Sequence, residues 1–112
     1  MYVVTAIIKA HRVESVTEAL KGIDVTGMTI ADCQGFGRQR GHTEVYRGSE
    51  YQVDFLPKVR VDVLCDTSNA EKIADVIAES ARTGKIGDGK IWITEVARAM
   101  RIRTGETGAD AL

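Results

Sequence analysis

The residues best suited to chemistry in this sequence form one stretch, 83–90, which reads TGKIGDGK. Glycine lets a backbone approach a ligand closely, and successive N–H groups in such a loop can converge on an anion. Lysine adds positive charge that suits phosphate. The stretch therefore predicts a phosphate cradle. A plain helix-to-strand turn with solvated lysines is the alternative that these residues leave open.

A Walker A loop is excluded, although residues 84–90 match its first half, G-x-x-x-x-G-K. Ile91 stands where that motif needs Ser or Thr for magnesium. The surroundings are also reversed, because this stretch follows a helical pattern at 73–81 and precedes a strand pattern at 91–94. A P-loop instead leaves a strand and opens a helix. The sequence therefore predicts an anion site but not a P-loop NTPase.

Other cations accompany this loop. Arg101 and Arg103 would point the same way on an extended segment, and Arg38 lies in a second glycine-rich stretch. With Lys90 they would surround a polyphosphate; a solvated basic strand is the alternative. No Ser-His-Asp, Cys-His or paired-carboxylate pattern stands out, so we predict no nucleophilic catalysis.

Composition sets the broad class. The 112 residues predict one domain, and 44% hydrophobic with 28% charged residues is ordinary for a globular protein. A net charge of −1 gives no general attraction to nucleic acid or membrane. The short N-terminal apolar run lacks a preceding basic region, which predicts no signal peptide. Two isolated cysteines, read as buried thiols, indicate a reducing cytoplasm.

The elements that must position these residues follow from hydrophobic periodicity. Strand patterns cover 2–9, 28–36, 58–66 and 90–97, with Met28, Ile30 and Cys33 as inward candidates of the second. Helical patterns cover 13–22 and 73–81. The order βαββαβ predicts a ferredoxin-like α+β fold, a four-stranded antiparallel sheet with two helices on one face. The other face contains uncovered apolar residues, which predicts oligomerisation through the sheet.

The segment between the second and third predicted strands is long and polar. Alternating residues at 43–46 and 51–55 predict a protruding β-ribbon with Gly48 and Ser49 at its tip. The run Gly35-Phe36-Gly37 is similar to an RNA-recognition motif, but the downstream aromatic residues of that motif are missing. RNA binding is therefore only a minor alternative.

Five stretches in this order resemble the PII nitrogen-regulatory signal-transduction proteins: GFGRQRGHTE (35–44), YRGSEY (46–51), VDFLPK (53–58), TGKIGDGKIW (83–92) and RIRTGE (101–106). The resemblance covers nearly the whole chain. It implies a homotrimer that binds ATP or ADP in clefts between subunits, with the arginines at 101 and 103 supplied by the neighbouring chain. The implied nucleotide-binding residues are Ile7, Thr29, Gly35, Phe36, Gly37, Arg38, Asp62, Leu64, Gly87, Asp88, Gly89, Lys90, Arg101 and Arg103.

The resemblance also implies Mg²⁺ and the effector 2-oxoglutarate beside ATP. Gln39 is then the expected metal ligand, and Lys58 the expected carboxylate partner. The implied 2-oxoglutarate-binding residues are Gln39, Lys58, Gly87, Gly37 and Gly41. Residues 37–55 correspond to the family's T-loop, 82–90 to its B-loop and 101–112 to its C-terminal loop. Tyr51 is at the position that is uridylylated or adenylylated in many members, and Ser49 at the one phosphorylated in some.

The resemblance thus implies a cytoplasmic regulator of nitrogen and energy status, not an enzyme, although slow ATP turnover is compatible with it. Its expected partners are an ammonium channel, nitrogen-metabolism enzymes and a modifying transferase. No direct nucleic-acid contact is expected, and the membrane is reached only through a transporter. Ala10 and Asp62 depart from the family's usual Pro and Glu. The alternative is a nucleotide-hydrolysing or phosphotransfer enzyme, but no positioned general base is evident. A generic amino-acid-sensing domain is a third class, without nucleotide affinity.

Overall fold

The computed structural model describes residues 1–37, 43–46, 49–52 and 55–112. Its strands and helices, in chain order, are β1 (Tyr2–Ile8), α1 (Val13–Lys21), β2 (Thr29–Gly35), β3 (Thr43–Tyr46), β4 (Ser49–Gln52), β5 (Leu56–Cys65), α2 (Ala70–Ala81) and β6 (Lys90–Glu95). Short 3-10 turns at Ala10–Arg12 and Thr67–Asn69 lead into the helices, and a third covers Gly108–Ala111.

Four strands form one antiparallel sheet in the order β2-β5-β1-β6. The crossovers through α1 and α2 place β1 in the middle, hydrogen-bonded to β5 on one side and β6 on the other. This confirms the predicted ferredoxin-like α+β fold. It also explains the largely apolar sequence of β1, since a central strand has little contact with solvent.

One face of the sheet packs against both helices. Strand β5 shows the alternation clearly, because Val59, Val61 and Val63 are buried while Arg60 and Leu64 between them are exposed. The core comprises Val4, Ala6, Ile8, Val16, Leu20, Val59, Val61, Val63, Cys65, Ala70, Ile73, Ile77 and Ala81. The functional residues therefore have to come from the loops and the opposite face.

Strand β2 differs from its prediction. Met28, just before it, packs against the core as predicted. Ile30 pairs with Val61 on the helix side but remains 43% exposed, because β2 is an edge strand. Cys33 pairs with Lys58, whose side chain is on the other face. The prediction of Cys33 as an inward residue was therefore wrong, since residues 30 and 33 differ in strand parity.

The predicted ribbon is confirmed, with a shorter second strand. Strands β3 and β4 pair antiparallel, with Thr43 opposite Gln52 and Tyr46 opposite Ser49. Ser49 therefore belongs to β4 and not to the predicted tip, because it pairs with Tyr46. Within the described ranges, no helix is long and apolar enough to cross a membrane.

Candidate functional site

The glycine loop joins α2 to β6. Gly84, Gly87 and Gly89 have φ values of 83°, 96° and 99°, which side-chain-bearing residues rarely adopt. A Cβ on Gly89 would lie only 1.6 Å from the carbonyl oxygen of Ile7. The loop therefore lies directly on the backbone of β1, and only glycine permits this close contact.

The carboxylate of Asp88 binds the start of the same loop. Its Oδ2 accepts hydrogen bonds from the backbone N–H groups of Thr83 and Gly84, each at 2.9 Å. Its Oδ1 accepts a short hydrogen bond from the Thr83 hydroxyl and lies 3.3 Å from Lys9 Nζ. The hydroxyl oxygen of Thr83 also accepts from Lys9 at 3.0 Å and from the Lys85 N–H at 3.2 Å.

These contacts affect ionisation. The Thr83 hydroxyl, followed by the backbone N–H of the same residue, holds the pKa of the Asp88 carboxyl well below its usual range. Asp88 is therefore an anion near neutral pH, and its negative charge is matched locally by Lys9. The role of Lys9 was not predicted, because nothing in the sequence around this residue indicates which loop lies beside it.

A cavity of about 640 Å³ opens between this loop and the adjoining ends of β2 and β5. Three of its lining residues are lysines, at positions 58, 85 and 90. The full lining is Ile7, Gly35, Phe36, Gly37, Leu56, Lys58, Lys85, Ile86, Gly87, Asp88, Gly89, Lys90 and Trp92. The structure thus brings eight of the predicted nucleotide-binding residues and Lys58 to one cavity.

Lys58 connects strand β5 to the loop. Its Nζ donates a hydrogen bond to the carbonyl oxygen of Gly87 at 2.6 Å, and its side chain is largely buried. Burial lowers the pKa of the Lys58 ammonium, and the nearby charge of Lys9 lowers it further. An ammonium with little solvent around it is well suited to an incoming carboxylate, because it has lost part of its hydration already.

Three other predicted nucleotide-binding residues line a different cavity. Thr29, Asp62 and Leu64 contribute to a groove of about 760 Å³, together with Met28 and Leu112. Ile7, another implied nucleotide-binding residue, instead lines the cavity of the glycine loop. A single chain therefore divides the predicted site between two surfaces.

Asp62 is held on the face of the sheet opposite the helices. It accepts hydrogen bonds from the Thr5 hydroxyl at 2.6 Å and from Arg60 Nε at 2.9 Å. Burial alone would raise the pKa of this carboxyl, but the bonds from Arg60 and Thr5 outweigh it and the pKa is lowered. The Arg60 guanidinium also lies 6.0 Å from the ring centre of Trp92. The strand alternation placed Arg60 beside Asp62, but nothing in the sequence indicated Thr5.

The two C-terminal arginines are exposed and do not line the cavity of the glycine loop. Arg101 lies in a loop closed by a bridge between Met100 and Thr107, and its Nη2 donates to the carbonyl oxygen of Leu112 at 2.9 Å. Since Leu112 lines the second cavity, Arg101 is at that end of the molecule.

Several predicted site residues lie outside the described residues. They are Arg38, Gln39 and Gly41, together with the side chains of Ser49 and Tyr51. In the part of the chain that the structure does describe, no group of three or more His, Cys, Asp or Glu side chains is arranged to hold a metal ion. The expected magnesium ligand, Gln39, stays a prediction.

Comparisons with known proteins agree with one another. The family model described as "Nitrogen regulatory protein P-II" matches residues 1–106. Nitrogen regulatory protein P-II of Rhizobium meliloti is 52% identical over 109 residues, covering 97% of both chains. Nitrogen regulatory protein GlnK of Escherichia coli is 50% identical over 112 residues, the full length of both. The crystal structure of Arabidopsis thaliana PII bound to citrate is similar with a TM-score of 0.81 and 35% identity, covering 99% of this chain and 91% of that one.

Proposed function

Because the chain belongs to the nitrogen regulatory protein P-II family, we propose that it binds ATP or ADP, and 2-oxoglutarate, in clefts shared between three copies. Family membership makes the protein a regulator in nitrogen signalling rather than an enzyme. The observation that carries the proposal is the glycine loop, whose lysine-rich cavity of about 640 Å³ is lined by eight of the implied nucleotide-binding residues.

The electrostatics of this cavity favour a polyphosphate. Lys58, Lys85 and Lys90 line it, whereas Asp88, the one acid among the described lining residues, is paired with Lys9. A charge-assisted hydrogen bond contributes about 1.5–3 kcal/mol, so a few lysine contacts together with backbone N–H groups account for useful nucleotide affinity.

The division of the predicted residues between two cavities supports a shared cleft. The loop cavity of one copy would receive the phosphates. The neighbouring copy would supply Thr29, Asp62 and Leu64, and also Arg101 and Arg103. The bond between Arg101 and Leu112 supports this arrangement, since it links the C-terminal loop to the second cavity of the same chain. A closed ring of three copies forms three equivalent clefts of this kind.

The effector would enter near Lys58. A 2-oxoglutarate carboxylate would accept a hydrogen bond from the Lys58 ammonium, which in the structure donates to the carbonyl oxygen of Gly87. Gln39 would hold Mg²⁺, and the ion would supply positive charge for the oxygens of the effector and the nucleotide. Gly37 and Gly41 are the further backbone contacts proposed. The Arabidopsis relative was crystallised with citrate, which like 2-oxoglutarate is a polycarboxylate.

The output element would be residues 37–55, which include the β3–β4 ribbon. The element would have two arrangements. ATP together with 2-oxoglutarate would bind one arrangement more tightly, ADP would bind the other more tightly, and this difference in affinity would supply the switch. The coupling free energy between a ligand site and an output element is typically about 1–3 kcal/mol. Proposed partners are an ammonium channel or nitrogen-metabolism enzymes, with a transferase that modifies Tyr51 or Ser49. The protein would then be cytoplasmic and would reach the membrane only through a transporter.

Isothermal titration calorimetry with ATP, ADP and 2-oxoglutarate, alone and combined with Mg²⁺, tests this function. We expect 2-oxoglutarate to bind only when ATP is present. Lys58→Ala and Gln39→Ala should each weaken 2-oxoglutarate more than ATP, whereas Lys21→Ala, an exposed change on α1, should alter neither. Unchanged 2-oxoglutarate binding in both site variants would refute the effector assignment.

A further inference from the structure

The chemical oddity of the glycine loop is an acid at the centre of a proposed anion site. Asp88 lines the cavity among three lysines, and a carboxylate there would by simple charge oppose a phosphate. Its contacts, however, are with the loop itself and with Lys9. Each of its oxygens already accepts hydrogen bonds from the loop itself, and Lys9, only 14% exposed, lies against it.

We infer that Asp88, with Thr83 and Lys9, is a positioning unit that holds the glycine loop in its anion-receiving shape without contributing its carboxylate to the ligand. The inference rests on the proposed function, that the loop binds nucleotide phosphates. It assigns a role to Lys9, which is distant from the loop in the sequence, and a specific contact to Thr83 at the start of the loop.

Two attachments fix the loop, one at each end. At the far end, Gly89 packs on the Ile7 carbonyl with no room for a Cβ. At the near end, the Asp88 carboxylate accepts hydrogen bonds from the N–H groups of Thr83, five residues earlier, and of Gly84. The Thr83 hydroxyl oxygen in turn accepts from the Lys85 N–H. A loop held at both ends loses little conformational entropy when a ligand arrives, which favours binding.

Lys9 completes the unit by compensating charge. It donates to the Thr83 hydroxyl oxygen at 3.0 Å and lies 3.3 Å from the Asp88 carboxylate. Lys9 therefore neutralises Asp88 from the β1 side, while the lysines at 58, 85 and 90 remain on the cavity side. The division lets one loop contain an acid and still attract an anion.

Calorimetry with MgATP on the full chain tests the inference through the sign of an effect. If Asp88 acted only through its charge, Asp88→Asn would tighten ATP binding by removing a negative charge near the phosphates. As a positioning residue it should do the reverse, and we expect ATP to bind about tenfold more weakly. Asp75→Asn makes the same change on an exposed face of α2 and should leave ATP binding unaltered.

Thr83 provides a second test that does not depend on Asp88. Thr83→Val keeps the shape but removes the hydroxyl, and should weaken ATP binding, whereas Thr83→Ser should restore it. Hydrogen exchange without nucleotide should show the Thr83 and Gly84 amides exchanging faster in Asp88→Asn than in wild type.

The outcomes separate the two claims. The positioning role would be overturned if the wild type binds ATP and Asp88→Asn binds it equally or more tightly. Equal ATP binding by Thr83→Val and Thr83→Ser would overturn it as well. Either result would leave the proposed function standing. A wild-type protein that does not bind ATP would instead overturn the proposed function and this inference with it.

Discussion

The Asp88 carboxylate accepts hydrogen bonds in the folded chain that the unfolded chain does not keep, and its pKa is accordingly lower when folded. A carboxyl of this kind contributes stability that is fully present above its unfolded pKa, about 3.9. That contribution is lost as the pH falls through the folded value. Acid should therefore weaken the glycine loop only below about pH 4.

This predicts a difference between variants in acid. Between about pH 4 and pH 2, the urea midpoint of the wild type should fall more steeply than that of Asp88→Asn, which has no such proton to bind. Some slope should persist in the variant, since the pKa of Asp62 is also lowered. Asp75→Asn is the control and should follow the wild type. Parallel curves for all three proteins would contradict the account.

The contacts of individual residues could be predicted from the sequence only in part. The residue types of the loop predicted an anion site, and two of its residues, Lys85 and Lys90, line the cavity beside it. Which groups Asp88 binds depends on a loop folding back on itself and on a strand distant in sequence. Neither is a local property, so the Lys9 and Thr83 contacts were not predictable.

At the scale of elements, the two glycines at 84 and 89 make a matched pair. Both have positive φ, but only Gly89 has backbone within reach of a new Cβ, at 1.6 Å from the Ile7 oxygen. Gly84→Ala should cost about 1–2 kcal/mol for the left-handed conformation alone. Gly89→Ala should cost about 3 kcal/mol or more, because the loop must also move away from β1.

Urea unfolding of both variants at one protein concentration measures this difference. The larger loss in Gly89→Ala should be accompanied by weaker ATP binding, since the displaced segment lines the cavity proposed to receive the phosphates. Equal losses of stability in the two variants would show that the contact between the loop and β1 is not rigid.

The elements themselves were largely predictable, because amphipathic periods leave clear marks. The valines of β5 alternate strictly, and the apolar residues of α2 recur at helical spacing, as in the folded core. Strand β2 was harder to predict. It is an edge strand that buries few side chains, so its sequence shows only weak alternation of apolar and polar residues. The ribbon was predicted from its alternation, but Ser49, which was predicted at the tip, is in β4 and pairs with Tyr46.

At the scale of the whole molecule, one face of the sheet is left without helices. Trp92 is 42% exposed and Leu64 39% exposed on this face. Exposed apolar side chains that share one face are typical of a surface that a partner covers. Three copies meeting through this face would bury them. Light scattering at micromolar concentration should therefore give the mass of a trimer.

A charge placed on that face should prevent assembly. Leu64→Glu should shift the protein toward a monomer, because an unpaired carboxylate would be buried between copies. Lys21→Glu changes an exposed helix position by two charge units and should leave the mass unaltered. A wild-type monomer at micromolar concentration would contradict the proposed assembly.

The division of the site between two cavities is the feature that no single chain explains, and complementation tests it most directly. One variant, Lys90→Ala, impairs the loop, and another, Arg101→Ala with Arg103→Ala, impairs the proposed neighbour's contribution. Each alone should bind ATP weakly. Co-expressed in equal amounts, they should form mixed trimers in which about a quarter of the clefts combine an intact loop with intact arginines. Calorimetry should then detect tight ATP sites in the mixture that neither parent shows. A mixture that binds only as weakly as its parents would show that the cleft is not shared between copies.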